Sequence, residues 1–469
     1  MKRSCFSFIF LLVAGILLSQ NAVDNFINNP LLQNAGISLI VKDQNTGLTL
    51  YEYRSKNSAV PASTMKLVTT ATALELFGPD FRFETKLEID GQIGSDSTLQ
   101  GNLYIRGGAD PTLGSDKVGD KDFFPKWIEA IRKAGIKNID GKVIADPGIF
   151  DRQVINPKWT WEDMGNYYAP GIHGISYLDN TFRGYFRTGK PGTVAEPLRT
   201  DPVIPGLKID SYAKSANIGF DNSYFYGAPF ANYRFLTGQL PANKAEFVVK
   251  GDIPEPALLL AQHLTEQLRK SGSLISGEAE VQYNVSTSAK IIYTHYSHPL
   301  SDIITETNVK SNNHFAEYLF RYIGTKNGIP ATIDGSISVI RNFWKSKGLS
   351  VDQLFQCDGS GLSPTDAVSA GFFVELLQYM KGKSRNSDVF YNSLPVSGVN
   401  GTLSSLLEKT ALQGKVHAKS GTIERVKCYA GYIDAPSGPL VFALMVNNPY
   451  GTSKQVVKKM EDFLLEIAK

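Results

Sequence analysis

"PASTMKLVTTATALELFG", residues Pro61 to Gly78, decides how the rest of the chain is read. Leu, Val, Ala and Phe fall on nearly every side of the helix this stretch predicts, so the helix is expected to be buried. Pro61 suits its entrance, Gly78 suits the position just past its end, and Pro79 blocks continuation. Yet Ser63 stands at the entrance and Lys66 one turn later. Residues three apart share a helical face, so the hydroxyl and the amine point to one spot. A serine hydroxyl is a poor nucleophile at neutral pH until a base takes its proton. Lysine is such a base only when neutral, and desolvation or a neighbouring cation favours the neutral amine. The spacing alone is cheap. It recurs at Ser211 and Lys214 in "SYAKSANIGF", where no apolar helix follows.

Two further segments raise its weight. "TNVKSNNHFAEYLF" places Ser311, Asn312 and Asn313 just before a helix, and "VHAKSGTIERV" places Lys419, Ser420, Gly421 and Thr422 on a predicted strand. The order S-x-x-K, S-x-N, K-[ST]-G is that of penicillin-binding proteins and serine β-lactamases. With these motifs the sequence resembles the low-molecular-mass class C penicillin-binding proteins, exported D-alanyl-D-alanine carboxypeptidases and endopeptidases with a large insert after the nucleophile helix. The resemblance runs from about Gly36 to Asn448 and includes "GNLYIRGGADPTL", "YYAPGIHGISYLDN", "CDGSGLS", "LPVSGVNGTL" and "AGYIDAPSGPLVFALMVNN".

The resemblance implies an α/β fold, a split transpeptidase-like (serine β-lactamase-like) domain with a β-rich two-part insert. It implies Ser63 as nucleophile, Lys66 as its base, Ser311 as proton relay, Asn313 on the substrate amide and Lys419 as the cation of the site. Ser420, Gly421 and Thr422 fall on the substrate-binding strand, with the backbone N–H groups of Ser63 and Thr422 as oxyanion donors. Trp161 and Asp163, with Trp159, in "WTWEDM" match a side-chain pocket of relatives, although aromatic packing accounts for them equally well. Ser420 replaces the more usual Thr, Asn400 a frequent Asp, and Pro364 a frequent Arg. The implied partners are peptidoglycan stem peptides, with β-lactams as inhibitors and room for peripheral membrane association; no cofactor and no metal is implied. A β-lactamase and a non-catalytic wall-binding scaffold are the alternatives.

Hydrophobic texture gives the organisation. "GISLIVKDQNTGLTLYEY" predicts two strands about a turn, and "EPALLLAQHLTEQLRKSG" a helix. After Ala289 helices dominate until three strands, "GKVHAKSGT", "CYAGYIDA" and "LVFALMVNN". A last helix shows Val456, Met460, Phe463, Leu464 and Ile467 on one face. The expected division is a signal peptide at 1–22, a catalytic domain from 23–81 and 287–469, a second domain from 82–176 and 250–286, and a third at 177–249.

The 469 residues carry a net charge of +3, too mild a balance to argue for nucleic acid. Lys2 and Arg3 followed by an apolar run from Phe6 to Leu18 predict a secretory signal cut between Ser19 and Asp24, and hence an exported, periplasmic or extracytoplasmic protein. Cys5 leaves with it; Cys357 and Cys428 make no disulfide framework. His295 and His298 have no third ligand nearby, and His417 is expected to be packed or exposed.

Overall fold

Residues 21–283 and 289–469 are described by a computed structural model. Residues 1–20, with Cys5 and most of the expected signal segment, lie outside the described residues, as does the boundary expected at 286/287. The chain forms two compact units. The first takes in Met1–Pro79, Ile304–Asn312 and Ile337–Lys469, and the second Asp80–Ile303 and Asn313–Ser336.

The first unit is built on a five-stranded antiparallel sheet. Its order is Thr49–Tyr53, Gly36–Asp43, Gly438–Asn447, Val426–Ala435, Val416–Ile423. The central strand, "GPLVFALMVN", is buried continuously from Leu440 onward, as a strand covered on both faces should be. It pairs with the early strand in a register that sets Leu39 opposite Leu444. The last two residues of Val416–Ile423 fold back through Glu424 and Arg425, so Thr422 faces Lys427.

Helix Ser453–Ile467 packs on this sheet with the five apolar residues read from the sequence, all buried. Thr452 and Gln455 cap its start reciprocally. Phe463 meets Phe26 at a ring distance of 5.0 Å. The segment quoted first differs from expectation at its start. Ala62–Met65 is a 3-10 turn, and the α-helix proper is Lys66–Phe77. Ala62 sits at φ 46°, a left-handed value that no α-helix continues from. From Lys66 to Leu74 every residue is buried. The threonines on this helix avoid unmet polar groups: Thr70 and Thr72 donate to the carbonyls of Lys66 and Val68, and Thr69 to that of Gly359, each at 2.7 Å.

The second unit holds a five-stranded mixed sheet, in the order Glu280–Val281, Val143–Asp146, Leu103–Arg106, Glu84–Ile89, Lys290–Tyr296. Helices Phe123–Lys133 and Pro256–Lys270 supply Trp127, Ile131, Leu260 and Leu264 to its core. Between Thr181 and Asp252 two small sheets follow, as the strand-like texture there predicts. Arg234, fully buried, is neutralised there by Asp252 at 2.6 Å.

Among the described residues no helix is long and apolar enough to cross a membrane, and no group of His, Cys, Asp and Glu is arranged to hold a metal ion. Cys357 and Cys428 form no disulfide. His295 is buried beside Phe123 and Trp127, and His298 is exposed. His417 stacks on Tyr391 at 4.3 Å.

Candidate active site

Seven residues singled out from the sequence lie in the first unit: Ser63, Lys66, Ser311, Lys419, Ser420, Gly421 and Thr422. Lys66 Nζ lies 3.0 Å from Ser63 Oγ and donates to the Ser360 carbonyl at 2.7 Å. Its side chain is fully buried. Lys419, also fully buried, donates to Ser311 Oγ at 2.9 Å and to the Ser420 carbonyl at 2.7 Å. Burial, then repulsion from Lys66 and Lys427, holds the Lys419 amine well below the usual lysine range. Ser420 Oγ donates to Thr402 Oγ1 at 2.7 Å, and Thr422 Oγ1 accepts from Lys427 Nζ at 2.7 Å.

Backbone approach explains Gly421. A Cβ there would stand 2.4 Å from the Pro61 carbonyl oxygen and 3.2 Å from the Ser63 nitrogen. The K-S-G strand therefore runs against the backbone of the serine turn, which only glycine permits. Gly361 grips the same turn from the loop after Cys357: at φ 76°, its Cβ would fall 1.8 Å from the Ala62 carbonyl oxygen. That loop is held by Asp358, fully buried, whose carboxylate accepts the N–H groups of Ser360 (3.1 Å), Gly361 (2.6 Å) and Ser363 (2.7 Å). Asp358 thereby fixes the carbonyl that Lys66 reaches. Burial, then the charge of Asp358, pushes the neighbouring Asp366 carboxyl well above the carboxylate range.

Ser311 lies at φ 58°, as Ala62 lies at 46°. Left-handed backbone at residues with a Cβ costs of order 1–3 kcal/mol each and gathers at functional sites. Here one such residue precedes the serine of S-x-x-K and the other is the serine of S-x-N.

The remaining candidates belong to the second unit. Asn313 opens helix Asn313–Ile323, and its Nδ2 donates to the Tyr168 carbonyl at 2.9 Å. Burial, then the Asp163 carboxylate, holds the Tyr168 phenol far above its ordinary value. Asp163 itself accepts from Thr160 N at 3.1 Å and Thr160 Oγ1 at 2.7 Å. Tyr168 thus links Asn313 to Asp163. Trp161 is exposed beside Tyr226, with ring centres 5.9 Å apart, and Trp159 is buried. The second S-x-x-K is split: Ser211 ends one strand and Lys214 begins another.

Sequence reading gave no role to Asp358, Ser360, Thr402 or Lys427. The first three lie in quoted stretches, "CDGSGLS" and "LPVSGVNGTL", but Ser360 meets Lys66 across 294 positions, Thr402 meets Ser420 across 18, and the short-range contacts of Asp358 are with backbone N–H groups that no residue type marks. Lys427 carried a local signal, since a two-residue hairpin turn sets it opposite Thr422.

Comparison with known proteins agrees over nearly the whole chain. A D-alanyl-D-alanine carboxypeptidase from Actinomadura sp. is 29% identical over 452 residues, covering 93% of this chain and 82% of that protein. The D-alanyl-D-alanine carboxypeptidase DacB of Haemophilus influenzae is 23% identical, covering 91% and 88%. The crystal structure of penicillin binding protein 4 from the same organism superposes with a TM-score of 0.81 at 22% identity, covering 95% of this chain and 99% of that one, which shows the fold. A structure of that protein complexed with a β-lactam superposes at 0.76, with 22% identity and the same coverage. The description of the D-Ala-D-Ala carboxypeptidase 3 (S13) family matches residues 19–469, and the chain belongs to that family of serine-type D-Ala-D-Ala carboxypeptidases.

Proposed function

We propose that this chain cleaves the D-Ala-D-Ala bond of peptidoglycan stem peptides through an acyl-enzyme on Ser63, as carboxypeptidase and as DD-endopeptidase. The observation that carries the reading is the 3.0 Å approach of a fully buried lysine amine to the Ser63 hydroxyl, beside a second buried lysine. In this reading neutral Lys66 takes the hydroxyl proton as Ser63 Oγ attacks the carbonyl between the two D-alanines. The oxyanion is met by the N–H groups of Ser63 and Thr422. Loss of one such donor costs roughly 100- to 1,000-fold in rate. Ser311 passes the proton to the departing amine, which leaves as D-alanine or, in a cross-link, as the neighbouring peptide. Water then takes up the acyl group and frees Ser63. Lys419 and Thr422 attract the terminal carboxylate, and Ser420 and Gly421 shape the strand that receives the peptide.

Asn313 serves the stem-peptide amide, while Trp161 and Asp163 serve its side chain. One carboxylate beside aromatic rings suits a side chain ending in a free amine. Asp163→Ala is therefore expected to slow cleavage of a stem-peptide mimic about tenfold or more, with acylation by a small penicillin changed far less. Equal loss on both ligands makes Asp163 structural, and no loss on either removes it from the site. The same reading includes β-lactams as acylating inhibitors, export with removal of a signal peptide, and a catalytic domain split by the two-part insert.

Incubation with a fluorescent penicillin separates the alternatives. Stable labelling is expected here. Rapid turnover marks a β-lactamase, and no labelling marks a scaffold.

A further inference from the structure

Among the described residues Lys427 forms no ion pair. Its Nζ donates to Thr422 Oγ1 at 2.7 Å and lies 5.7 Å from the centre of the Tyr429 ring. No carboxylate among the described residues offsets its charge, and burial holds its amine below the usual range. Lys427 and Lys419 also repel each other. A fully buried and a half-buried lysine that repel each other are costly unless an anion joins them.

The hydrogen bond has a direction that matters. A hydroxyl offers one donor and two acceptor positions. With the ammonium filling one acceptor position of Thr422, its O–H is left to donate, and the adjacent charge polarises it toward anions. Thr422 is exposed at the end of the K-S-G-T stretch, where a ligand has access.

We propose that Lys427 is a specificity-determining positioning residue: acting through the Thr422 hydroxyl, it selects ligands with a free terminal carboxylate over neutral ones. The assignment rests on the acyl-enzyme reading above. It adds a residue from the neighbouring strand that none of the three motifs contains.

The test uses the full chain with benzylpenicillin and its methyl ester, which present the same reactive ring with and without the carboxylate. Acylation rates are read by intact mass. The wild type is expected to prefer the acid. In Lys427→Met the acid-to-ester preference is expected to fall about tenfold, the scale of one charge-assisted hydrogen bond, and Lys427→Arg is expected to restore most of it. Because the ratio is measured within one preparation, partial unfolding cancels. An unchanged ratio in Lys427→Met, or equal loss on both ligands, overturns the assignment. Absence of any Ser63 adduct in the wild type overturns the acyl-enzyme reading beneath it, which the variants leave separate.

Discussion

Lys66→Arg is expected to fold yet lose acylation by about 100- to 10,000-fold, the usual worth of a positioned general base. Arginine keeps the charge and can still donate to the Ser360 carbonyl, but it does not deprotonate in a protein. The substitution therefore separates the charge of the side chain from its ability to take a proton. The site is fully buried, so the longer guanidinium also carries a packing cost. Lys66→Met, which fills a similar volume without charge, controls for this when thermal melting of both variants is compared with the wild type. The measurement is the rate of benzylpenicillin adduct formation. Rapid acylation by either variant assigns the base elsewhere, with the Lys419–Ser311 pair the next group to test.

Ser63→Ala should remove the adduct altogether, a loss on the order of a million-fold in turnover when a nucleophile of this kind is deleted. Half-buried Ser63 makes a small hole when truncated, so folding should survive. Peptide mapping of the wild-type adduct should find a single modified segment containing Ser63. An adduct on Ser211, or an undiminished adduct in the alanine variant, would refute the assignment. Ser211 makes a useful internal control, because its lysine lies on a different strand rather than one turn away.

Much of this was legible because it is written in short spacings. Three residues of helix bring Ser63 and Lys66 together, and the period of Val456, Met460, Phe463, Leu464 and Ile467 marks a buried face. Three fragments in order pointed to the family. Contacts that depend on register or on distant loops were not legible. Asp358 acts by accepting three backbone N–H groups, which leaves no periodic trace. The left-handed Ala62 that opens the 3-10 turn was not legible either, because alanine is a strong helix former and its Cβ disfavours that conformation.

The place of Gly438–Asn447 at the centre of the sheet has a consequence for how the protein is made. Its neighbour Gly36–Asp43 leaves the ribosome about 400 residues before it does. At common synthesis speeds of about 5–20 residues per second, the early strand waits roughly 20–80 s for its partner. For most of that time the nascent chain has a serine turn without the Val416–Ile423 strand that lies against it, and until Gly438–Asn447 is made nothing joins that strand to Gly36–Asp43, so the chain has no catalytic power and an apolar edge open to wrong pairing. Activity therefore switches on late and all at once. Chains released before Gly438 should be inert and prone to aggregation rather than partly active.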